Sequence, residues 1–155
     1  MSNAIIRRLF TDHLIYQLTP TTGDMLKYPV QQQGIVNGID PVTGDQIIIE
    51  PDRPHMVVYL MPLPTESDTL GGDHKMYTGI FQITCRASGT GDMNTILEDM
   101  TDLIQKAYPM NFRFTENNFT VQVISPIKVT EARASRDGSK WWEVHAYFDY
   151  RADTN

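Results

Sequence analysis

The chain has 155 residues, 41% hydrophobic and 21% charged, the composition of one ordinary globular domain able to bury about 70% of its unfolded surface. Its formal charge of −6, with Arg7-Arg8 the longest run of cations, argues against general affinity for duplex phosphates. The single cysteine, Cys85, excludes an intrachain disulfide and an all-cysteine metal site, and its place in a strand-like run reads as apolar packing.

Neither a membrane span nor a secretory signal is expected. The longest apolar run, residues 56–61, is far short of the ~20 residues a membrane helix needs. At the N-terminus Arg7 and Arg8 follow Ile5-Ile6, and no apolar core continues beyond them. The formal sequon Asn118-Phe119-Thr120 therefore carries no meaning in an unsecreted chain.

Ser2 is placed to cap a first helix reaching about Leu18, with Ile6, Leu9, Phe10, His13, Leu14 and Gln17 at helical spacing. Arg7, Arg8, Thr11 and Asp12 fall on the other side, and His13 sits at the edge of the stripe as a partly buried structural histidine. From 19 to 53 the pattern weakens. Residues 34–39 and 46–50 read as a small hairpin around the turn Asp40-Pro41-Val42-Thr43-Gly44-Asp45. It is an insertion or arm whose Ile47 and Ile48 need cover from the core or from a partner chain.

Residues 55–61 and 75–86 are two strand-like runs joined by a long loop marked by Gly and Pro. In the second run Tyr77, Gly79, Phe81, Ile83 and Cys85 share one face, and Gly79 in mid-strand predicts a bulge or a close backbone approach. Asp92 is placed to cap the clearest helix, in which Met93, Ile96, Leu97, Met100, Leu103, Ile104 and Ala107 repeat at three and four and Pro109 forms the stop. Strand material follows at 112–115 and 119–123, then a polar extended segment over 127–134 and a turn at Arg136-Asp137-Gly138-Ser139. The last strand, 140–150, alternates Trp142, Val144, Ala146, Phe148 and Tyr150 against Trp141, Glu143, His145, Tyr147 and Asp149. That second face is aromatic enough to suggest a contact surface. The order predicts a single α+β domain: a mainly antiparallel sheet of about four strands, two helices packed on it, and the small extra hairpin.

Chemistry is hard to find along the chain. His13, His55, His74 and His145 show no metal-ligand spacing, and the loop carrying Glu66, Asp68, Asp73 and His74 departs from the calcium-loop pattern. Gly89-Thr90-Gly91 lacks the Lys-Ser/Thr ending of a P-loop and the third glycine of a dinucleotide fingerprint. No signature ranks Ser67 or Ser88 as a nucleophile. Glu143 and Asp149 read as surface charge rather than an acid–base pair. Phe112, Phe114 and Phe119 lack the surrounding cations of an RNA-stacking sheet. No catalytic, cofactor-binding or metal-binding residue is therefore assigned.

One ordered set of features is nonetheless similar to the tail terminator proteins of long-tailed bacteriophages. It comprises the N-terminal helix, the strand Pro54-His55-Met56-Val57-Val58-Tyr59-Leu60, and the loop Glu66-Ser67-Asp68-Thr69-Leu70-Gly71-Gly72. The strand Tyr77-Thr78-Gly79-Ile80-Phe81-Gln82-Ile83 follows, then Gly89-Thr90-Gly91 with the amphipathic helix. It closes with Asp137-Gly138-Ser139-Lys140-Trp141-Trp142-Glu143-Val144 and Tyr147-Phe148-Asp149-Tyr150. The segment 19–53 is longer than the corresponding connection in the members it resembles.

The resemblance implies a non-enzymatic virion protein whose copies form a hexameric ring on the tail tube and join it to head-completion proteins of the neck. DNA would pass through the lumen without specific binding, and assembly would take place in the host cytoplasm. Asp68, Thr69, Leu70, Ile47, Ile48, Trp141 and Tyr147 are the expected subunit contacts. A different head–tail connector or tube-like virion protein, or a small enzyme or ligand-binding domain, are the competing readings.

Overall fold

The computed structural model describes residues 2–18, 28–32, 53–67, 70–71, 74–88, 92–136 and 140–154. In chain order its elements are α1 (Ser2–Leu18), β1 (Val30–Gln32), β2 (His55–Pro62), β3 (Met76–Ser88), α2 (Met93–Ala107), β4 (Arg113–Glu116), β5 (Phe119–Val123), β6 (Lys128–Val129), β7 (Arg133–Ala134) and β8 (Trp141–Thr154).

The strand with the clearest alternation, β8, is the centre of the sheet. On one side it pairs antiparallel with all of β3, from Met76 opposite Asp153 to Ser88 opposite Trp141. β2 then pairs antiparallel with β3, and the order along the sheet is β1-β2-β3-β8-β5-β4. The other side of β8 is lined by three short strands in succession, β5, β6 and β7. These are one strand broken twice. Between Val123, opposite Tyr150, and Lys128, opposite Tyr147, the chain advances five residues against three on β8. Between Val129, opposite Ala146, and Arg133, opposite Glu143, it advances four against three. Extra residues on one side of a ladder bend the strand and leave donors without a regular partner. Two hydroxyls take them: Asp149 N–H donates to Ser125 Oγ at 2.9 Å, and His145 N–H to Thr130 Oγ1 at 3.0 Å.

The α+β expectation holds, but the sheet differs from the expected four antiparallel strands. It has eight strands among the described residues, and it is mixed because β1 runs parallel to β2. Strands of two or three residues are too short to display a period of two. β6 and β7 also expose their side chains, so backbone pairing alone makes them strands. The hairpin expected over 34–50 lies outside the described residues.

Both helices lie on one face of the sheet, α1 against β2 and α2 against β3 and β8, and they touch one another. On α1 the buried line is Ile6, Phe10, Leu14 and Leu18, with Ile15 beside it. Thr11 is buried and Gln17 exposed, the reverse of their expected placement, so the stripe lies slightly rotated around the helix. Ser2 is the first residue of α1 rather than a cap outside it. On α2 the expected face is buried through Leu97, Met100, Ile104 and Ala107. Asp92 occupies the cap position, but with φ −83° and ψ 40° its side chain makes no capping hydrogen bond. The side-chain cap needs the extended backbone that this ψ denies.

Phe10 is the hub of the core. Its ring centroid lies 4.9 Å from that of Phe81, 5.2 Å from Phe148, 5.6 Å from Phe114, 5.8 Å from Tyr150 and 6.0 Å from Tyr108. Its full burial alone contributes about 2–3 kcal/mol. Tyr108, the residue after α2, is buried and donates its hydroxyl to the Phe10 carbonyl at 2.5 Å, which ties the end of α2 to the middle of α1. His13 adds a second tie. Its Nε2 lies 2.7 Å from the carbonyl of Ala107, and a carbonyl only accepts, so Nε2 carries the proton. That bond satisfies one of the unpaired carbonyls of the last turn of α2.

Gly79 answers its expectation of a close approach. A Cβ there would lie 2.5 Å from the Met61 carbonyl oxygen and 2.7 Å from Tyr150 Oη. The Tyr150 hydroxyl is buried and finds no hydrogen-bond partner among the described residues, and burial pushes its pKa up to about 12. Gly79→Ala should cost about 1–3 kcal/mol through overpacking. Tyr150→Phe should be neutral or stabilising, because it removes an unsatisfied buried hydroxyl. Urea denaturation of both variants and of the double variant checks this. The double variant should lose less than Gly79→Ala alone, and equal losses would refute the contact.

Burial lowers the pKa of His13, against the opposing effect of the Ala107 carbonyl, and burial likewise lowers that of His55. The unfolded chain, with ordinary imidazoles near pH ~6.5, then binds more protons than the folded one below that value. Stability is complete above pH ~6.5 and falls as the solution is acidified through it. Denaturation midpoints at about pH 7.5 and 5.5 should show this fall, and His13→Gln should reduce it. A midpoint that stays constant or rises on acidification contradicts the assignment.

Candidate functional site

The sheet face turned away from the helices carries the chemistry that the core does not use. Strand alternation and register place its side chains in rows across β2, β3, β8 and the broken strand. His55, Arg86, Glu143 and Arg133 form one row, and Val57, Thr84 and His145 the next. Tyr59, Gln82, Tyr147 and Lys128 follow, then Met61, Ile80 and Asp149.

The first row is an ion-paired aromatic site. Arg86 Nε lies 3.1 Å from Glu143 Oε1, and the Arg86 guanidinium carbon lies 5.5 Å from the centroid of the Trp141 ring. His55 is buried, lies edge-on to Trp141 at 5.0 Å, and donates from Nδ1 to the Arg53 carbonyl at 3.0 Å. Burial lowers its pKa first; Arg86 lowers it further, while the Arg53 carbonyl and Glu143 act in the opposite direction. The ring is therefore a neutral packing group for Trp141.

The second row holds a hydroxyl–imidazole pair. Thr84 Oγ1 is 2.9 Å from His145 Nδ1, and Gln82 Nε2 is 3.3 Å from the same nitrogen and 3.2 Å from Thr84 Oγ1. Since the amide only donates, Nδ1 accepts, and the imidazole carries its proton on Nε2. A hydroxyl donating to imidazole resembles the start of a nucleophilic site. Thr84 is only 3% exposed, however, so no substrate reaches its oxygen. The cluster is a satisfied polar network that fixes β3 against β8.

In the third row Lys128 Nζ sits 5.7 Å from the Tyr147 ring centroid and 3.8 Å from Asp149 Oδ2. Trp141 and Tyr147, two of the expected contact residues, thus lie on the same face, half-buried, each with a cation over its ring. Leu70, another, is fully exposed on a turn at the opposite end of β3. Its loop is anchored at the base: Glu66 and Met76 exchange backbone hydrogen bonds at 3.0 and 2.8 Å, and Leu63 N–H donates to Thr78 O at 2.9 Å. Lys75 and Thr154 tie the same base to the end of β8, and His74 pairs with Asp153 at 3.6 Å. Exposed Leu63 and Met61 extend the apolar surface around this end. Asp68, Thr69, Ile47 and Ile48 lie outside the described residues. No group of three or more potential metal ligands occurs among the described residues.

Of the cations on the outer face, Arg86 falls on the polar side of its strand by alternation alone, whereas Lys128 and Arg133 carry no signal of their own. Lys128 and Arg133 fall in the segment read only as polar and extended. The turn at 136–139 could have revealed them, because a tight turn before β8 folds the preceding segment back onto it as a hairpin.

Among curated proteins nothing matches the chain. One solved structure superposes on 98% of this chain and 96% of its own with a TM-score of 0.69 at 22% identity, which shows a shared fold. A family model described as phage tail terminator protein matches residues 6–146, from the first turns of α1 to the middle of β8. With a match across nearly its whole length, the chain belongs to the phage tail terminator family, as a structural protein of the virion tail that works in contact with tail and head components.

Proposed function

We propose that this protein is the tail terminator subunit itself, whose copies close into a hexameric ring that caps the tail tube and joins it to head-completion proteins of the neck. The match of residues 6–146 to the terminator family carries this reading. The work of such a subunit is assembly, with no catalytic step and no cofactor. One heterologous contact repeated around an axis makes a closed ring without open ends, which is the geometry that stops tube growth. The ring assembles in the host cytoplasm before it is built into the virion. The −6 charge suits a lumen that lets DNA pass, since like charges do not retain phosphates.

The chain acts as a single domain, with 19–53 as an inserted arm. Subunit contacts use Asp68, Thr69 and Leu70 on the anchored loop, Ile47 and Ile48 on the arm, and Trp141 and Tyr147 on the outer sheet face. The fully exposed Leu70 supports the loop assignment, because an apolar tip on a tied-down base is built to meet another surface.

Size-exclusion chromatography with light scattering, together with negative-stain microscopy, should find ring-shaped particles of the purified protein. A strict monomer at high concentration that binds neither tail nor neck proteins would refute the ring. Leu70→Asp should abolish the ring while leaving the circular dichroism spectrum and thermal midpoint unchanged. Undiminished ring formation by that variant would remove the loop from the interface.

A further inference from the structure

The outer sheet face is not uniform along the strands. Near the start of β8 exposed cations gather: Arg133 lies opposite Glu143, Arg136 follows Ser135, whose N–H donates to the Trp141 carbonyl, and Lys140 is at the same end. Of the carboxylates in the same stretch, Glu143 is already paired with Arg86, Glu131 is exposed, and Asp137 lies outside the described residues. The exposed flank of α2, in the helix layer, is acidic in its first half, with Asp92 at the cap position and Glu98 and Asp102 in the first ten helical residues.

These two surfaces lie at the same height along the strands, on opposite layers of the domain. Ser88, the last residue of β3, pairs with Trp141, and only residues 89–91 separate it from Asp92, a reach of about 14 Å at most. The first half of α2 therefore starts at the basic end. A second placement agrees: the Tyr28 hydroxyl donates to Asp99 at 2.5 Å, and Tyr28 lies two residues before Val30, which pairs with Met56 next to His55. His55 in turn heads the row of Arg86 and Glu143.

A closed ring has no rise from one copy to the next, so the two halves of its interface must occupy the same level along the ring axis. Opposite charges at one level on opposite layers meet that condition when the strands run along the axis. From this we infer that the basic end of the outer sheet face, Arg133 and Arg136 around Trp141, docks onto the acidic flank of α2, Glu98 and Asp102, of a second copy of this chain. The inference rests on the ring reading and specifies which surfaces meet. The charges set register and direction, and Trp141, already held by His55 and Arg86, provides a preorganised flat apolar contact.

The test is a charge swap read by light scattering of the purified full chain at low and high salt. Arg133→Glu with Arg136→Glu should lose the ring-sized species, and so should Glu98→Lys with Asp102→Lys. Both pairs are exposed, so their monomers should keep the thermal midpoint of the native protein. An equimolar mixture of the two variants should regain the ring, because in alternation every contact joins a reversed sheet face to a reversed helix flank or a native sheet face to a native helix flank. The chain carrying all four substitutions should regain it too. A native protein that is itself monomeric refutes the ring reading. A native ring with either reversed variant still assembled overturns the inference and leaves the ring standing. Loss in both variants without recovery in the mixture overturns the pairing of these two surfaces.

Discussion

The antiparallel ladder between β3 and β8 is the constraint on which the rest depends. It runs the full length of β3, and each strand carries a buried apolar row facing the helices and a polar row facing away. Because side chains alternate with a period of two, one register fixes both surfaces together. A slip by one residue would put Phe81 and Phe148 outside and Arg86 and Glu143 in the core. The core demands one register, and the outer rows follow without separate selection. The contacts of Phe10 with Phe81, Phe148 and Tyr150 are the packing that enforces this choice.

The two edges of β8 behave differently for a physical reason. On the β3 side the pairing is unbroken. On the other side extra residues interrupt it twice, and Ser125 and Thr130 supply side-chain oxygens where the ladder lacks carbonyls. Such breaks allow a long strand to curl without leaving buried donors unpaired. They also shift the short strands so that Lys128 and Arg133 fall opposite Tyr147 and Glu143. The curl and the placement of Lys128 and Arg133 on the outer face thus share one origin. In an assembly protein this coupling has a use, since the device that shapes the sheet also places the groups that another chain would meet.

Much of the architecture was legible in the residues. The alternation over 140–150 and the stripe on α2 each reported an element, because each has enough residues to repeat its period and one side to bury, and the apolar run at 55–61 reported a strand whose first four residues are buried on both faces. Gly79 reported a close approach, and the backbone of Met61 and the hydroxyl of Tyr150 fill the space where a side chain would go. The short strands β1, β6 and β7 were illegible as strands, since two or three residues carry no period of their own. Of the candidate contact residues, Trp141 and Tyr147 were visible as aromatics on an outward face. Arg86 was legible only as a polar-face residue of its strand, and Lys128 and Arg133 became visible when the register set them on that face.

The sequence by itself determined the class of the protein: one α+β domain, built on amphipathic strands and helices, without a recognisable catalytic motif and similar to the tail terminators. Local periodicity and composition suffice for the fold class, because they depend on neighbours along the chain, while the similarity to the tail terminators is carried by the ordered set of motifs. The tertiary structure decided what stands next to what. It set the mixed eight-stranded sheet, the neutral buried state of His55 and the closed Thr84–His145 pair. It also put the exposed Arg133 and Arg136 at the end of the sheet from which the chain enters α2. The β3–β8 pairings that set this frame join residues more than 50 positions apart, and no local pattern encodes which of the possible pairings the core will select.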